Sequence, residues 1–284
     1  MSLLALDIGG TKLMAALVEG GNVLEARRIA TDRAGGPTAW LDAAYELCGD
    51  WIGRFDRMGI AVTGLVDKQG RWSALNRATL DIPPGTPLTK MAQARFGVPA
   101  QALNDAQAAA WAEHRFGAGV GHDLVFLTIS TGIGGGAVFG GRLLSGRSGL
   151  AGHFGQTRGG ADSRLESRVA GRWLAEAAAK TGHASDASAV FEAARRGEDW
   201  AGSLRRECLT QVAALCRDIQ LTFDPDLIVI GGGIGLSEGF LPDLCAHLAE
   251  LAPVLRPELV AARLGAEAGV IGAADIAAQT GPTI

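Results

Sequence analysis

The sequence predicts an α/β protein built by duplication, with two halves facing a cleft. Two observations carry this. An apolar strand that runs through a glycine turn into a second strand occurs near residues 4–18 and again near residues 124–143. Each copy opens a half that continues in further strands and helices, the mixture expected of a layered α/β fold. The halves divide as residues 1–110 and 111–284, with the boundary near residues 105–117. A closing helix over about residues 269–281 is expected to pack back on the first half.

The elements read as follows. Residues 2–8 (SLLALDI) form a buried strand ended by Gly9-Gly10, and residues 12–18 form a second. Glu19-Gly20-Gly21-Asn22 is a hairpin turn into a third strand over 23–31. Pro37 opens a helix to about Phe55, because Trp40, Ala44, Leu47 and Trp51 recur at helical spacing. A strand follows over 58–66, then a helix over 86–97 ended by Gly97. Residues 99–105 form a strand that enters an Ala-rich helix. In the second half, 124–131 is a strand and 136–144 continues it as a hairpin. Helices cover about 163–181, 187–196 and 200–222; 227–234 is a strand ending in glycines, and 238–250 is a helix.

Composition narrows the function. Of 284 residues, 48% are hydrophobic and 20% charged, the balance of a globular protein with a sizeable core. The net charge of −4 gives no basic stripe for nucleic acid. Arginines between residues 142 and 172 are the only basic concentration; Asp162 and Glu166 interrupt it, and it reads as a solvated face. Cys48, Cys208, Cys216 and Cys245 form no CxxC pair and read as small buried apolar residues, not a disulfide or zinc framework. The N-terminus lacks a basic signal-peptide region, and no run of 18 apolar residues could span a membrane. A reduced cytoplasmic setting is expected.

Four short motifs could carry chemistry. Asp7-Ile8-Gly9-Gly10-Thr11-Lys12 places a carboxylate at a strand end, before glycines that let backbone approach a phosphate. Ser130-Thr131-Gly132-Ile133-Gly134-Gly135-Gly136 follows a second apolar strand and could cradle phosphoryl oxygens. It is neither a Walker loop nor a dinucleotide fingerprint, because a hairpin follows. Gly231-Gly232-Gly233 precedes a helix and could lie against an adenosine. Each is equally a turn that needs glycine. Asn104-Asp105, at a strand–helix junction, is either an ordinary N-cap or a carboxylate base at a cleft floor. Three glycine turns at strand ends, with an acid between the first two, are more specific than any one.

That arrangement resembles the phosphate 1, phosphate 2 and adenosine motifs of the sugar kinase/actin/Hsp70 superfamily. LDIGGTK, NDAQAAAWAE, TISTGIGGG, GLAGHFGQT and VIGGG together resemble the ROK family of sugar kinases and related repressors, over almost the whole chain. The resemblance implies an actin/hexokinase-like (ribonuclease H-like) duplicated two-domain fold. It implies an ATP-dependent hexose or hexosamine kinase using Mg²⁺ and forming a homodimer. ALN (74–76), LLSGRSGLAGH and GGGIGLSEGF look most like members that phosphorylate the 6-hydroxyl of N-acetylmannosamine in sialic-acid breakdown.

By the family pattern, Asp105 is the base and, with Gly64, Asn76, Asn104, His153 and Glu166, meets the sugar. Asp7, Gly9, Gly10, Thr11 and Lys12 form the first phosphate loop; Thr131, Gly132 and Gly134 form the second; Gly232 and Gly233 meet the nucleotide. Asp7 contacts Mg²⁺ through water. Two departures stand out. Many ROK proteins carry GExGH followed by CxCGxxGCxE, whose last His and three Cys bind a structural zinc. Here Gln156 stands at the histidine position and no cysteine lies between Cys48 and Cys208, so no structural zinc is expected. The ordering of this segment, and the seat of Glu166, then rests on packing and hydrogen bonds. His153 stands where much of the family has glutamate, which should alter recognition near the sugar's C1–C2 edge.

Alternatives are a glucokinase, a fructokinase or an N-acetylglucosamine kinase of the same family. A sugar-responsive repressor is set lower, because the chain opens directly on its first strand without a helix-turn-helix. An actin-like filament protein is opposed by Asn104-Asp105 and the segment 149–157.

Overall fold

The computed structural model describes residues 2–77, 79–158, 163–183 and 186–279. The first part contains β1 (Ser2–Ile8), β2 (Lys12–Glu19), β3 (Asn22–Ala30), α1 (Gly36–Cys48), β4 (Phe55–Val62), the small hairpin β5 (Leu65–Val66) and β6 (Trp72–Ser73), α2 (Leu88–Phe96), β7 (Ala100–Asn104) and α3 (Asp105–Phe116). The second contains β8 (Leu124–Ile129), β9 (Ile133–Phe139), β10 (Arg142–Leu143), α4 (Glu166–Val169), α5 (Gly171–Lys180), α6 (Ala187–Arg195), α7 (Asp199–Phe223), β11 (Leu227–Gly231), α8 (Gly232–Gly235), α9 (Phe240–Leu248), β12 (Leu259–Ala261) and α10 (Ala268–Gln279). Residues 280 and 281 of the expected closing helix lie outside the described residues.

The two large sheets repeat one topology, β3-β2-β1-β4-β7 and β10-β9-β8-β11-β12. In each, an antiparallel meander of three strands is joined through its first strand to two parallel ones. This is the duplicated actin/hexokinase-like architecture. Period-two alternation builds its layers. Leu4, Leu6 and Ile8 face the core under α1 and α2, while Ala5 points the other way. In β8, Val125, Leu127 and Ile129 face α7, while Leu124 and Phe126 face α3 and α10. The central layer therefore takes residues from both sheets: Ala5, Met14 and Ala16 from one, Phe126, Val138 and Val229 from the other, with α3 and α10 between.

Four expectations need correction. The helix begun at Gly36 stops at Cys48, and Phe55 opens β4. Gly49 (φ 42°) and Gly53 (φ 90°) break the helix, and Ser2 pairs with Phe55 in parallel. Trp51 fitted a helical stripe only because it is buried in the same core as Trp40 and Ala44. The helix expected over 163–181 is two helices, interrupted at an extended Ala170 (ψ 164°), where the Gly171 N–H donates to the Ser130 carbonyl at 2.8 Å. The strand expected over 227–234 ends at Gly231, and Gly232 (φ 84°) turns the chain into α8. The short strands β5, β6 and β12 carry no alternation long enough to read. Cys48, Cys208 and Cys216 are buried, whereas Cys245 is exposed, against expectation. No helix among the described residues is long and apolar enough to cross a membrane.

Candidate active site

A cleft of about 830 Å³ opens at the C-terminal ends of the parallel strands. Register explains why the chemistry converges there. Ile8 pairs with Val62, and Val62 with Asn104, so the turns after β1, β4 and β7 leave the first sheet side by side. In the second sheet Thr128 pairs with both Gly134 and Gly231. The cleft lining includes Asp7, Gly9, Gly10, Thr11 and Lys12 from the first loop, and Thr131, Gly132 and Gly134 from the second. Gly64, Asn76, Asn104, Asp105, His153 and Glu166 line it as well.

Gly232 and Gly233 are placed differently. A Cβ on Gly232 would collide with the Ile129 carbonyl, so this glycine serves the close packing of α8 on β8. Gly233 lines a second, smaller cavity with Ser188, Phe191, Glu192, Arg195 and Ser237, beside an Arg195–Glu238 ion pair.

Asn104 caps α3: its Oδ1 accepts from the N–H of Ala106 (3.0 Å) and of Gln107 (3.2 Å). Its Nδ2 donates to the Gly64 carbonyl at 3.0 Å, so one side chain ties two cleft loops together. Gly64 (φ 100°) has no room for a Cβ beside the Ser73 carbonyl. Asp105 Oδ1 accepts from the Ala106 N–H at 2.8 Å.

Two carboxylates share this floor. Burial raises the Asp105 pKa to about 6, against the helix N–H of Ala106 and the Asn104 side chain, which hold it down. Asp7 is raised to about 7, by burial first and by the Asp105 charge second, against the lowering effect of Lys12. An acid near 6 at the foot of a cleft is poised to take a proton at neutral pH.

Thr11, Lys12 and Thr131 are exposed at the facing loop tips, so hydroxyls and an ammonium are presented where phosphoryl oxygens would lie. The donor set therefore fits a nucleoside triphosphate. The Asp7–Asp105 repulsion is the kind of unbalanced charge that a divalent cation relieves. Among the described residues no group of three or more His, Cys, Asp or Glu is placed to hold a metal by itself.

On the α3 side of the cleft, the buried Gln107 donates from Nε2 to the carbonyls of Gly149 (3.1 Å) and Ala151 (2.7 Å), fixing the segment that carries His153. His153 Nδ1 lies 3.1 Å from the Leu150 carbonyl and Nε2 lies 3.4 Å from that of Gly64. A neutral ring has one N–H, so it satisfies one of these at a time. The backbone partners expected of a plain structural histidine are thus present, although the ring also lines the cleft. Glu166 Oε1 accepts from Gln156 Nε2 at 3.0 Å.

Sequence reading missed several cleft residues. Arg33, Thr79, Arg164, Arg172 and Trp173 line it too. Two of these arginines belong to the stretch expected to be a solvated face, and the correction is tertiary: α5 begins against the Thr131 loop, with the Arg172 N–H donating to the Thr131 carbonyl at 3.4 Å. No local signal marked them.

A two-sheet fold of this topology, with glycine loops facing each other across a carboxylate floor, is that of the hexokinase-like phosphotransferases. The ROK family model matches residues 3–280. The chain belongs to the ROK family. It is 50% identical to the bifunctional enzyme NanE/NanK of Brucella melitensis, over 97% of this chain and 54% of that one, so it spans about half that relative's length. It is 38% identical to the N-acetylmannosamine kinase of Shigella flexneri, over 98% of both chains. Among solved structures, a ROK glucokinase from Streptomyces griseus in complex with glucose and AMPPNP is similar at 30% identity, with a TM-score of 0.82, covering 99% of this chain and all of that one.

Proposed function

We propose that this protein is an ATP-dependent kinase that phosphorylates the 6-hydroxyl of N-acetylmannosamine, with Asp105 as the base. The observation that carries the reading is Asp105 itself, a carboxylate with pKa about 6 on the cleft floor between two facing glycine loops. Support for the substrate comes from the 38% identical N-acetylmannosamine kinase, alike over its full length. The bound AMPPNP and glucose of the glucokinase neighbour support the nucleotide and the class of acceptor.

In this reading, the loops at Gly9–Lys12 and Thr131–Gly134 hold the phosphates. The sugar's 6-hydroxyl gives its proton to Asp105 as its oxygen bonds to the γ-phosphorus; the bond to the β,γ-bridging oxygen breaks and ADP leaves. Asn104 orients the sugar while holding Gly64. Asp7 would hold Mg²⁺ through water, and the ion would neutralise charge on the phosphates. Gly233, at the separate smaller cavity, would meet the nucleotide's adenosine end, and Gly232 would shape the turn behind it. The halves 1–110 and 111–284 close over the substrates and exclude water. A homodimer and a cytoplasmic setting complete the proposal.

A coupled ADP-release assay with Mg-ATP tests it, with N-acetylmannosamine, N-acetylglucosamine, mannose, glucose and fructose as acceptors. The expected result is the highest kcat/KM for N-acetylmannosamine and a loss of about 10²–10⁴-fold in kcat for Asp105→Asn, with sugar binding retained. Preference for another hexose would overturn the substrate; an active Asp105→Asn would overturn the base.

A further inference from the structure

We infer that Gln156 is a positioning residue that aims the Glu166 carboxylate at the sugar, as the middle of a hydrogen-bonded chain Arg164–Gln156–Glu166. This rests on the sugar-kinase reading above.

The amide of Gln156 lies between groups of opposite demand. Its Oε1 accepts from Arg164 Nη1 at 3.3 Å, and its Nε2 donates to Glu166 Oε1 at 3.0 Å. An amide supplies an acceptor on one side and a donor on the other, so these neighbours fix which way it faces. A carboxylate or a hydrocarbon of similar size could not serve both. The chain holds one oxygen of Glu166. The other, Oε2, lies close to Gly132 and Gly155, where a Cβ on either would approach it to 3.2 Å. Glu166 is thereby held against the second glycine loop.

The backbone supports this seat. Phe154–Gln156 is a single 3₁₀ turn, and the Gln156 N–H donates to the His153 carbonyl at 3.0 Å. The Leu165 N–H donates to the Thr157 carbonyl at 2.8 Å, and Arg158 bridges Arg164, so the segments carrying Gln156 and Glu166 are clipped side by side. Gln156, Arg164 and Glu166 all line the cleft. Among the described residues the Gln156 amide is the hydrogen-bond partner of the Glu166 side chain, and a wandering carboxylate pays rotamer entropy on each binding event. The Gln156 bond is charge-assisted, the stronger sort. Among the described residues, Asp7, Lys12, Arg33, Asp105, His153, Arg172 and Glu176 are the other ionisable groups that line the same cleft.

Sugar and ATP KM, kcat and calorimetric sugar affinity are compared for wild type, Gln156→Leu and Gln156→Glu across pH 5.5–8. In Gln156→Leu the sugar KM is expected to rise about tenfold, the size of one lost hydrogen bond to a charged group, with ATP KM within twofold of wild type. In Gln156→Glu two carboxylates face each other; near neutrality they repel, and at lower pH they share a proton that restores a donor to Glu166. Its sugar KM, relative to wild type at each pH, should therefore fall toward one as pH drops from 8 to 5.5, because every other ionisable group of the cleft is common to both proteins. A merely structural role would give no such pH dependence. Unchanged sugar KM in Gln156→Leu, or a flat ratio in Gln156→Glu, overturns the inference. Failure of wild type to bind or turn over any sugar overturns the kinase reading instead. Should Gln156→Leu fail to fold, Gln156→Glu alone decides by its ratio.

Discussion

Asp105 sits where a carboxylate is costly to charge, and that has consequences for rate and stability. In its proposed role of base it would work only when ionised, so kcat/KM of the free enzyme should climb with pH through about 6 and level off above 7. About tenfold less activity is expected at pH 5 than on the plateau. A flat profile between pH 5 and 8 would remove Asp105 from the role. The stability effect runs the other way. Both folded-state values, about 6 for Asp105 and about 7 for Asp7, lie above the carboxylate's ordinary 3.8. The folded protein then holds protons that the unfolded chain has already released, so stability present at pH 4 is lost as pH rises through 6 and 7. Asp105→Asn removes this cost. It should raise Tm at pH 8, by the equivalent of about 1–3 kcal/mol, and leave it near wild type at pH 4. Thermal melts at the two pH values check this; an Asn variant less stable at pH 8 would contradict the direction. In the proposed reading Asn104-Asp105 is both cap and base: Asn104 takes two N–H groups of α3, and Asp105 takes the Ala106 N–H through Oδ1 while its carboxylate lines the cleft floor.

At the scale of elements, α3 is the lever of the site. Its start carries the cap and the proposed base, and Gln107, in the same first turn, reaches the carbonyls of Gly149 and Ala151. Gln107→Leu keeps the packing volume but leaves two carbonyls unpaired in a buried place, at a cost of about 1–3 kcal/mol. Because those carbonyls shape the segment carrying His153, the sugar KM should rise severalfold while ATP KM holds; kinetics with each substrate varied in turn separate the two. Equal rises in both would mean that α3 supports the nucleotide side as well. The Ala-rich run of α3 reads in sequence as a strong helix former, and it is that. Its alanines have a second use: Gly134 and Gly136 of β9 approach Ala106 and Ala110, which larger side chains would prevent.

For the whole molecule, α3 and α10 form the layer that both sheets share. They touch through small residues. A Cβ on Gly272 would run into the Ala108 carbonyl, and one on Gly59 into the Ala273 carbonyl. Gly272→Ala should therefore destabilise by about 1–3 kcal/mol through overpacking, although alanine is the better helix former. A lowered Tm checks it, and a raised one would show that the helices can part freely. The same layer is tied at its end by the buried Glu113, whose carboxylate accepts from the N–H groups of Ala118 (2.7 Å), Arg263 (2.9 Å) and Leu264 (2.8 Å). Trp111 and Arg115 add bonds from α3 to Asp275 on α10.

Much of this was readable before any coordinates. Strand periodicity, the glycine turns and the Asn-Asp junction are local signals, set by pleat, backbone freedom and capping, and they placed β1, β2, β8, β11 and α3 with the loops that follow them. The duplicated topology followed from repetition of one unit. What sequence alone could not decide depends on contacts between distant segments. Trp51 mimicked a helical stripe because burial, not helix, set its spacing. Ala170 is extended because Gly171 bonds to a loop some forty residues earlier in the chain. Arg164 and Arg172 turn inward, and Gln156 meets Glu166, only once α5 is docked on the second sheet. Glu113 is a surface-like helical glutamate in sequence, and only the arrival of residues 263–264 beside it makes it a buried brace. Local chemistry, then, determined which residues could act; the pairing of remote backbone decided which of them meet.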